Sequence, residues 1–140
     1  MDTAKTYLFV YGTLRSGMSS PVSHLIAGDI LWKGGAMINA SLYDIGGYPG
    51  AIPSNEENSM VSGEVMELAT PEKIWKILDK YEGCDNNGVG SEYSRRKELV
   101  QLASGEVLEA WIYWYNLPVK DNRRIGSNDY LKYLQKKQLA

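Results

Sequence analysis

The sequence predicts an α+β protein built on a small, curved, barrel-like β-sheet with a few helices outside it. Short strand-like runs recur along the chain and are bounded or interrupted by its 14 glycines. A glycine inside a strand often marks a bulge or a bend. Only two segments have a convincing helical pattern, which is too few for a doubly wound sheet, where helices alternate with strands.

The first strand-like run covers residues 6–11 and leads directly into a turn that begins at Gly12. A continuous apolar and aromatic run that ends at glycine is typical of a buried strand. Such a strand holds the turn that follows it at a fixed position on the edge of the core. Glycine at the start of the turn leaves the next backbone N–H groups accessible to a ligand.

Residues 12–19 differ at one position from the phosphate-binding pattern G-x-x-x-x-G-K-[ST]. Met18 occupies the place of the lysine, which supplies much of the attraction for phosphate. Pro21 and Ser23 also make a poor start for the long helix that should follow. Nucleotide binding is therefore rejected, and the spacing alone favours an ordinary exit from a strand into a turn.

The clearest helix begins at Thr70, which can cap it, with Pro71 at the first helical position. Its apolar residues recur with helical spacing and predict one buried stripe of Ile74, Ile77, Leu78 and Tyr81. Gly83 is expected to end the helix. A short helix is expected over residues 21–27, capped by Ser20, and a final one over residues 129–138.

The remaining strands are predicted from apolar runs and turn residues. We expect them at residues 30–32, 36–38, 42–45, 60–68, 93–103 and 107–115. Ser104 and Gly105 join the last two as a hairpin. Both faces of the last strand are largely apolar, which predicts a central place in the sheet. The segments expected to be irregular connections are 46–50, 53–59 and 116–128.

Composition narrows the class of function. A chain of 140 residues fits a single domain, and its net charge of −2 argues against binding nucleic acid, which depends on neutralising phosphates. No apolar run is long enough to cross a membrane, and the first five residues lack the features of a signal peptide. The single cysteine, Cys84, is compatible with a reducing compartment. We therefore expect a cytoplasmic protein, with its oligomeric state open and a monomer compatible with the sequence.

The segment FVYGTLR, residues 9–15, resembles the signature of the γ-glutamyl cyclotransferase-like superfamily. It is most similar to the branch that contains the γ-glutamylamine cyclotransferases and small bacterial homologues. Further matches follow in the expected order: LYDIGGYPG (42–50), GEV (63–65), LDKYEG (78–83), YSRR (93–96) and AWIY (110–113). The matched core spans residues 7–115, and the extension 116–140 lies outside these motifs. The resemblance implies a small closed mixed barrel with a cavity at one end.

Glu82 is the residue most suited to catalysis. It directly precedes the Gly83 that ends the helix, where the negative end of the helix dipole favours a neutral carboxyl and raises its pKa. A general base that works near neutral pH is tuned in this way. Position alone favours a solvated glutamate at a helix end, which is the commoner role of a glutamate there. The resemblance implies that Glu82 is the catalytic acid and base, because it stands at the glutamate of the LDxxEG segment.

The reaction implied by the resemblance converts a γ-glutamyl amine or γ-glutamyl amino acid into 5-oxoproline and a free amine, without metal or organic cofactor. Backbone N–H groups of Gly12, Thr13 and Leu14 are suited to bind the oxyanion and the substrate carboxylate. Tyr11 and Tyr115 either line the cavity or only pack. The resemblance puts Tyr93 near the pocket. Arg15 either pairs with a substrate carboxylate or has a structural role.

Two other classes of function remain open at this point. The same pocket in a non-catalytic binding module would hold a small carboxylate or amide without converting it. A related acyl-transfer enzyme of specialised metabolism would use the same glutamate with another leaving group. The sequence does not identify the leaving amine, because the residues that face it belong to loops.

Overall fold

The computed structural model describes residues 5–16, 18, 20–83 and 91–139 of the chain. Its strands are β1 (Thr6–Val10), β2 (Ile30–Asp44), β3 (Pro49–Pro53), β4 (Met60–Leu68), β5 (Tyr93–Leu102), β6 (Val107–Tyr115) and β7 (Arg123–Arg124). Its helices are α1 (Pro21–Ile26), α2 (Pro71–Tyr81) and α3 (Tyr130–Leu139), and a 3₁₀ turn at Ala27–Asp29 follows α1. No helix within these ranges is long and apolar enough to span a membrane.

Five of the strands form a closed mixed barrel. They lie in the order β2, β4, β1, β6, β5, and β5 returns to pair with β2. The pairing of β1 with β6 is parallel, through Leu8 and Trp111, and the others are antiparallel. The barrel-like sheet with peripheral helices is therefore confirmed, as is the central position of β6 between β1 and β5.

Strand β2 is one continuous strand of 15 residues, where the sequence predicted three separate runs. The register against β4 shifts between Trp32 and Gly34, and Gly34 has a φ of +129°, which glycine adopts readily. This bulge bends the strand without breaking it. The expected irregularity at the glycine pair is confirmed, but it joins two halves of one strand.

Strand β7 and the two ends of β3 fall in segments that were expected to be irregular, and residues 51–52 of β3 had no predicted structure. Both strands pair with the C-terminal part of β2, and Tyr43 lies between Gly50 of β3 and Arg124 of β7. Neither carries a local strand signal. Strand β3 contains two prolines and a glycine, and β7 consists of only two residues, both of them exposed. Their pairing with β2 makes them strands.

The apolar core has two parts on the two faces of the sheet. One draws on all five barrel strands and includes Phe9, Ile38, Val65, Val100 and Ile112, all at most 3% exposed. The other packs α1 and α2 against the outer face and includes Leu8, Val10, Ile26, Ile74 and Leu78. Strand β1 separates the two parts because successive side chains point to opposite faces.

Helix α2 follows its prediction in extent but less closely in burial. Ile74 and Leu78 are fully buried, whereas Ile77 packs from a partly buried position and Tyr81 is 45% exposed. The expected four-residue stripe is therefore wrong at Tyr81, which lines a cavity instead. Thr70 makes no capping hydrogen bond through its side chain. Gly83 ends the helix with a φ of +61°, as predicted.

The other two helices confirm their predictions to within a residue or two. Ser20 caps α1 by accepting the N–H of Ser23 at 3.1 Å, and Pro21 opens the helix. Helix α3 packs on the barrel core through Tyr130, with Tyr133 and Leu134 beside it. The hydroxyl of Tyr130 also donates to the carbonyl of Gly47 at 3.0 Å, so α3 supports the turn before β3.

Candidate active site

A cavity of about 290 Å³ lies where the β1 exit turn, the end of α2 and the start of β3 meet. The buried end of β1 forms one part of its wall, and β5 and β6 contribute another. The residues that line it are Phe9, Val10, Tyr11, Gly12, Thr13, Leu14, Tyr48, Pro49, Tyr81, Glu82, Glu92, Tyr93 and Tyr113. The glycine turn that begins at Gly12 and Glu82 are far apart in the sequence, yet both line this cavity.

Gly12 is required by the close approach of Pro49. A Cβ atom at this position would lie 2.5 Å from Cγ of Pro49, well inside van der Waals contact. The N–H of Arg15 donates to the Gly12 carbonyl at 3.1 Å and closes a turn. Within the described part of the chain, the N–H groups of Gly12, Thr13 and Leu14 have no protein acceptor. These donors are available to an anion or a polarised carbonyl oxygen.

Glu82 caps the C-terminal end of α2. Its N–H donates to the carbonyl of Leu78 at 2.8 Å, which fixes the backbone that carries the side chain. Burial raises the pKa of the Glu82 carboxyl to about 7, and the negative charge of Glu92 contributes to the same shift. The direction agrees with the sequence argument, and its causes are desolvation first and a second carboxylate next.

Tyr11 and Tyr93 contribute fixed walls to the cavity. The hydroxyl of Tyr11 donates to the Tyr113 carbonyl at 2.5 Å and accepts the N–H of Ala51 at 3.2 Å. The hydroxyl of Tyr93 donates to the carbonyl of Pro49 at 2.6 Å. Burial raises the pKa of both phenols, so they remain neutral. Both hydroxyls hold β3 against the barrel, and both rings contact the cavity.

Tyr48 and Glu92 line the cavity, although the sequence argument did not single them out. The hydroxyl of Tyr48 donates to Oε2 of Glu92, and this hydrogen bond is the main reason that the pKa of Tyr48 is raised to about 12. Their positions relative to the family motifs could have indicated that they belong to the site. Tyr48 lies inside the motif at residues 42–50, and Glu92 directly precedes the motif that begins at Tyr93.

Arg15 is not among the residues that line the cavity. Its side chain is buried and donates to Oδ1 of Asp129 at 3.0 Å, and Glu64 lies 3.8 Å from its Nε. Glu64 in turn accepts from the backbone and hydroxyl of Ser16 at 2.6 and 2.7 Å. Of the two roles left open for Arg15, this arrangement corresponds to the structural one, since it ties the end of the glycine turn to β4 and to the start of α3.

Tyr115 also lies outside the cavity lining. Its ring packs edge-on against Tyr93, with 5.4 Å between the ring centres. It also covers Gly50 so closely that a Cβ there would lie 2.8 Å from the ring. Of the two roles left open for Tyr115, its position corresponds to packing, one layer behind the cavity wall.

An ion pair behind the cavity joins α2 to the barrel. Arg95 of β5 binds both carboxylate oxygens of Asp79, at 2.9 and 3.1 Å, and its guanidinium stacks over Trp75 and Trp111. The hydroxyl of Tyr113, which lines the cavity, donates to Asp79 at 2.7 Å. Asp79 lies three residues before Glu82, so these contacts fix the helix end that carries Glu82.

The fold and the site define a class of protein: a small closed barrel whose cavity is lined by a carboxyl with a pKa near 7 and by a turn whose N–H groups have no acceptor among the described residues. Residues 8–132 match the family model described as gamma-glutamyl cyclotransferase, AIG2-like. The chain belongs to this family and is an enzyme of the cyclotransferase type. The match extends beyond Tyr115, where the motifs found in the sequence end.

Similar proteins come from archaea and bacteria. The chain is 34% identical over 128 residues to MJ1514 of Methanocaldococcus jannaschii, with 91% of this chain and 97% of that protein covered. The solution structure of YtfP from Escherichia coli is 32% identical with a TM-score of 0.62, and the alignment covers 91% of this chain and 98% of YtfP. The gamma-L-glutamyl-butirosin B gamma-glutamyl cyclotransferase of Niallia circulans is 36% identical over 110 residues, 78% of this chain and 66% of that protein.

Proposed function

We propose that the protein cyclises a γ-glutamyl amine or γ-glutamyl amino acid to 5-oxoproline and releases the free amine. The observation that supports this most directly is the position of Glu82, a carboxyl with a pKa of about 7 in the cavity formed by the glycine turn. Such a group exchanges protons readily near neutral pH. The relative from Niallia circulans, whose name specifies a γ-glutamyl substrate, supports the same class of substrate.

In the proposed reaction the α-amine of the substrate attacks its own γ-carbonyl carbon. A C–N bond forms within the five-membered ring, and the C–N bond to the other amine breaks. Glu82 takes a proton from the attacking nitrogen and delivers it to the leaving nitrogen, so that the carboxylate is regenerated in each cycle. Proton transfer of this kind contributes roughly 10²–10⁴ in rate.

The nucleophile and the carbonyl belong to the same molecule, so the protein has mainly to hold the folded conformer. Orientation of this kind can supply up to about 7–11 kcal/mol of the barrier. The N–H groups of Gly12, Thr13 and Leu14 bind the developing oxyanion or the α-carboxylate in this proposal. The described cavity lining contains no Lys, Arg or His, so backbone donors take the place of a basic side chain.

The test is incubation with a panel of γ-glutamyl amines and γ-glutamyl amino acids, with 5-oxoproline and the free amine both quantified. Equimolar release of the two products supports the proposal. Saturable binding without products across the panel would instead favour a binding module. Transfer of the γ-glutamyl group to an added amine, without 5-oxoproline, would favour an acyl-transfer enzyme.

A further inference from the structure

We propose that Glu92 selects leaving amines that carry a positive charge. The favoured substrates are then γ-glutamyl derivatives of diamines, or of other amines that keep a second ammonium group. This inference rests on the proposed function and narrows its substrate class. It assigns to Glu92 a role in substrate specificity, separate from the proton transfer assigned to Glu82.

The carboxylate of Glu92 is held in place and is only partly engaged. The backbone N–H of Glu92 donates to the carbonyl of Gly83 at 3.1 Å, and the backbone carbonyl of Glu92 accepts the N–H of Asn116 at 2.8 Å. The hydroxyl of Tyr48 donates to Oε2. Among the described residues no donor is bound to Oε1, which lies 3.9 Å from the position that a Cβ on Gly83 would occupy. Within the described residues, one oxygen next to the end of α2 therefore has no donor and can accept from an ammonium group.

The charges around the cavity are not balanced by a γ-glutamyl group alone. Two carboxyl groups line it, Glu82 and Glu92, and no basic side chain does so among the described residues. A γ-glutamyl group has one ammonium and one carboxylate, so it brings no net charge. A carboxylate that loses water on substrate binding is costly unless a cation pairs with it. A second ammonium on the leaving amine supplies that partner.

Aromatic rings at the cavity entrance favour the same ligand. Tyr48 and Tyr81 are 37% and 45% exposed and are the most accessible side chains of the cavity lining, so they mark its open side. The ring faces of tyrosine attract ammonium groups. Glu92 and these two aromatic side chains therefore lie together at the cavity lining, and the leaving amine extends toward them if the reacting carbonyl lies at Glu82.

An alternative role for Glu92 is purely electrostatic, because its charge contributes to the raised pKa of Glu82. The two roles differ in how they affect different substrates. A shift in the pKa of Glu82 changes the rates of all substrates together at a given pH. Recognition of a cationic leaving amine changes the ratio between substrates, and this ratio is the quantity to measure.

The experiment compares three γ-glutamyl compounds with leaving amines of similar length. The amines are 1,4-diaminobutane, pentylamine and 4-aminobutanoate, which leave a cationic, a neutral or an anionic end in the cavity entrance. We expect kcat/KM to fall in that order in the wild type, with at least about a tenfold preference for the cationic over the neutral compound. In Glu92→Gln this ratio should fall to near one, and the penalty on the anionic compound should shrink.

Glu106→Gln is the matched control, because it removes one exposed carboxylate from the turn between β5 and β6, outside the cavity lining. It should keep the wild-type ratio. A wild type that does not distinguish the three compounds, or a Glu92→Gln variant that keeps the full preference, would overturn the inference.

If no compound yields 5-oxoproline, the proposed function fails and calorimetric binding of the same compounds decides the charge preference. Stronger binding of the cationic compound, lost in Glu92→Gln, would support it. Equal binding of all three, or no binding, would overturn it.

Discussion

Asp79 of α2 and Arg95 of β5 form a two-pronged ion pair, with hydrogen bonds of 2.9 and 3.1 Å, one turn of helix before Glu82. Tyr113 donates to the same carboxylate at 2.7 Å, and the rings of Trp75 and Trp111 cover the guanidinium. Both charged side chains are 21% exposed, so the pair is partly shielded from water. This pair connects the helix that carries Glu82 to the barrel wall.

Replacing Asp79 by asparagine should lower the free energy of unfolding by about 1–3 kcal/mol. Arg95 would lose its ionic partner, and Tyr113 would lose a charged acceptor. Urea unfolding at fixed pH measures the change. Glu109→Gln is the control, because it breaks the exposed Lys97–Glu109 pair and should cost under about 1 kcal/mol. Equal losses in the two variants would show that the partly buried Asp79–Arg95 pair stabilises the fold no more than an exposed pair does.

Glu82→Gln keeps the size of the side chain and removes the proton acceptor. If Glu82 carries the proton, turnover should fall by roughly 10²–10⁴ while substrate binding changes little. Steady-state kinetics with calorimetric binding separates the two effects. Glu72→Gln, at the exposed start of the same helix, should keep its activity. Undiminished turnover in Glu82→Gln would exclude the assignment of Glu82.

The activity should rise with pH along a limb centred near pH 7, since Glu82 accepts a proton only as the carboxylate. Removing the negative charge of Glu92 should lower the pKa of Glu82, because that charge contributes to the upward shift. The limb should therefore move to lower pH in Glu92→Gln. Rate profiles over pH 5–9, taken on a neutral substrate, measure the displacement. An unmoved limb would mean that another group controls it.

Stability should also depend on pH through Glu82. Its pKa rises from 4.5 to about 7 on folding, so between these values the folded state binds more protons than the unfolded state. The stability contribution is complete below pH 4.5 and is lost as pH rises through 7. The loss is on the order of 3 kcal/mol. Glu82→Gln should therefore gain stability over the wild type between pH 4 and pH 8, as urea unfolding at the two pH values would measure. A constant difference between the two proteins would contradict the shift.

Gly12→Ala should disturb both the fold and the site. The new Cβ would lie 2.5 Å from Cγ of Pro49, so the turn or β3 must move. Forcing a methyl group into such a contact costs about 1–3 kcal/mol, and displaced N–H groups should lower kcat/KM as well. Gly28→Ala is the control, because a Cβ at Gly28 would meet no atom within 4 Å. Thermal unfolding and kinetics of the two variants make the comparison. A Gly12→Ala variant that matches the control in both measurements would contradict this account of the turn.

Local signals in the sequence were sufficient for the elements that carry the proposed chemistry. The apolar run before Gly12, the Pro71 start and Gly83 end of α2, and the turn at Gly105 each depend on nearby residues. These signals predicted β1, α2 and the hairpin of β5 and β6 almost to the residue. They also put a carboxylate at the end of a helix. The abundance of short strands predicted a curved, barrel-like sheet, and the family resemblance implied that it is closed.

The tertiary structure decided what surrounds these elements. Strand β3 exists because it pairs with β2, and that pairing brings Pro49 onto Gly12 and Tyr48 to Glu92. Arg15 stands in the opening motif, yet its partner Asp129 lies 114 residues away, beyond every motif in the sequence. No local pattern encodes such contacts, because their free energy is realised only when the barrel closes. The sequence thus singled out Glu82 as the candidate for proton transfer, while folding set the desolvation and the neighbouring charge that raise its pKa to about 7.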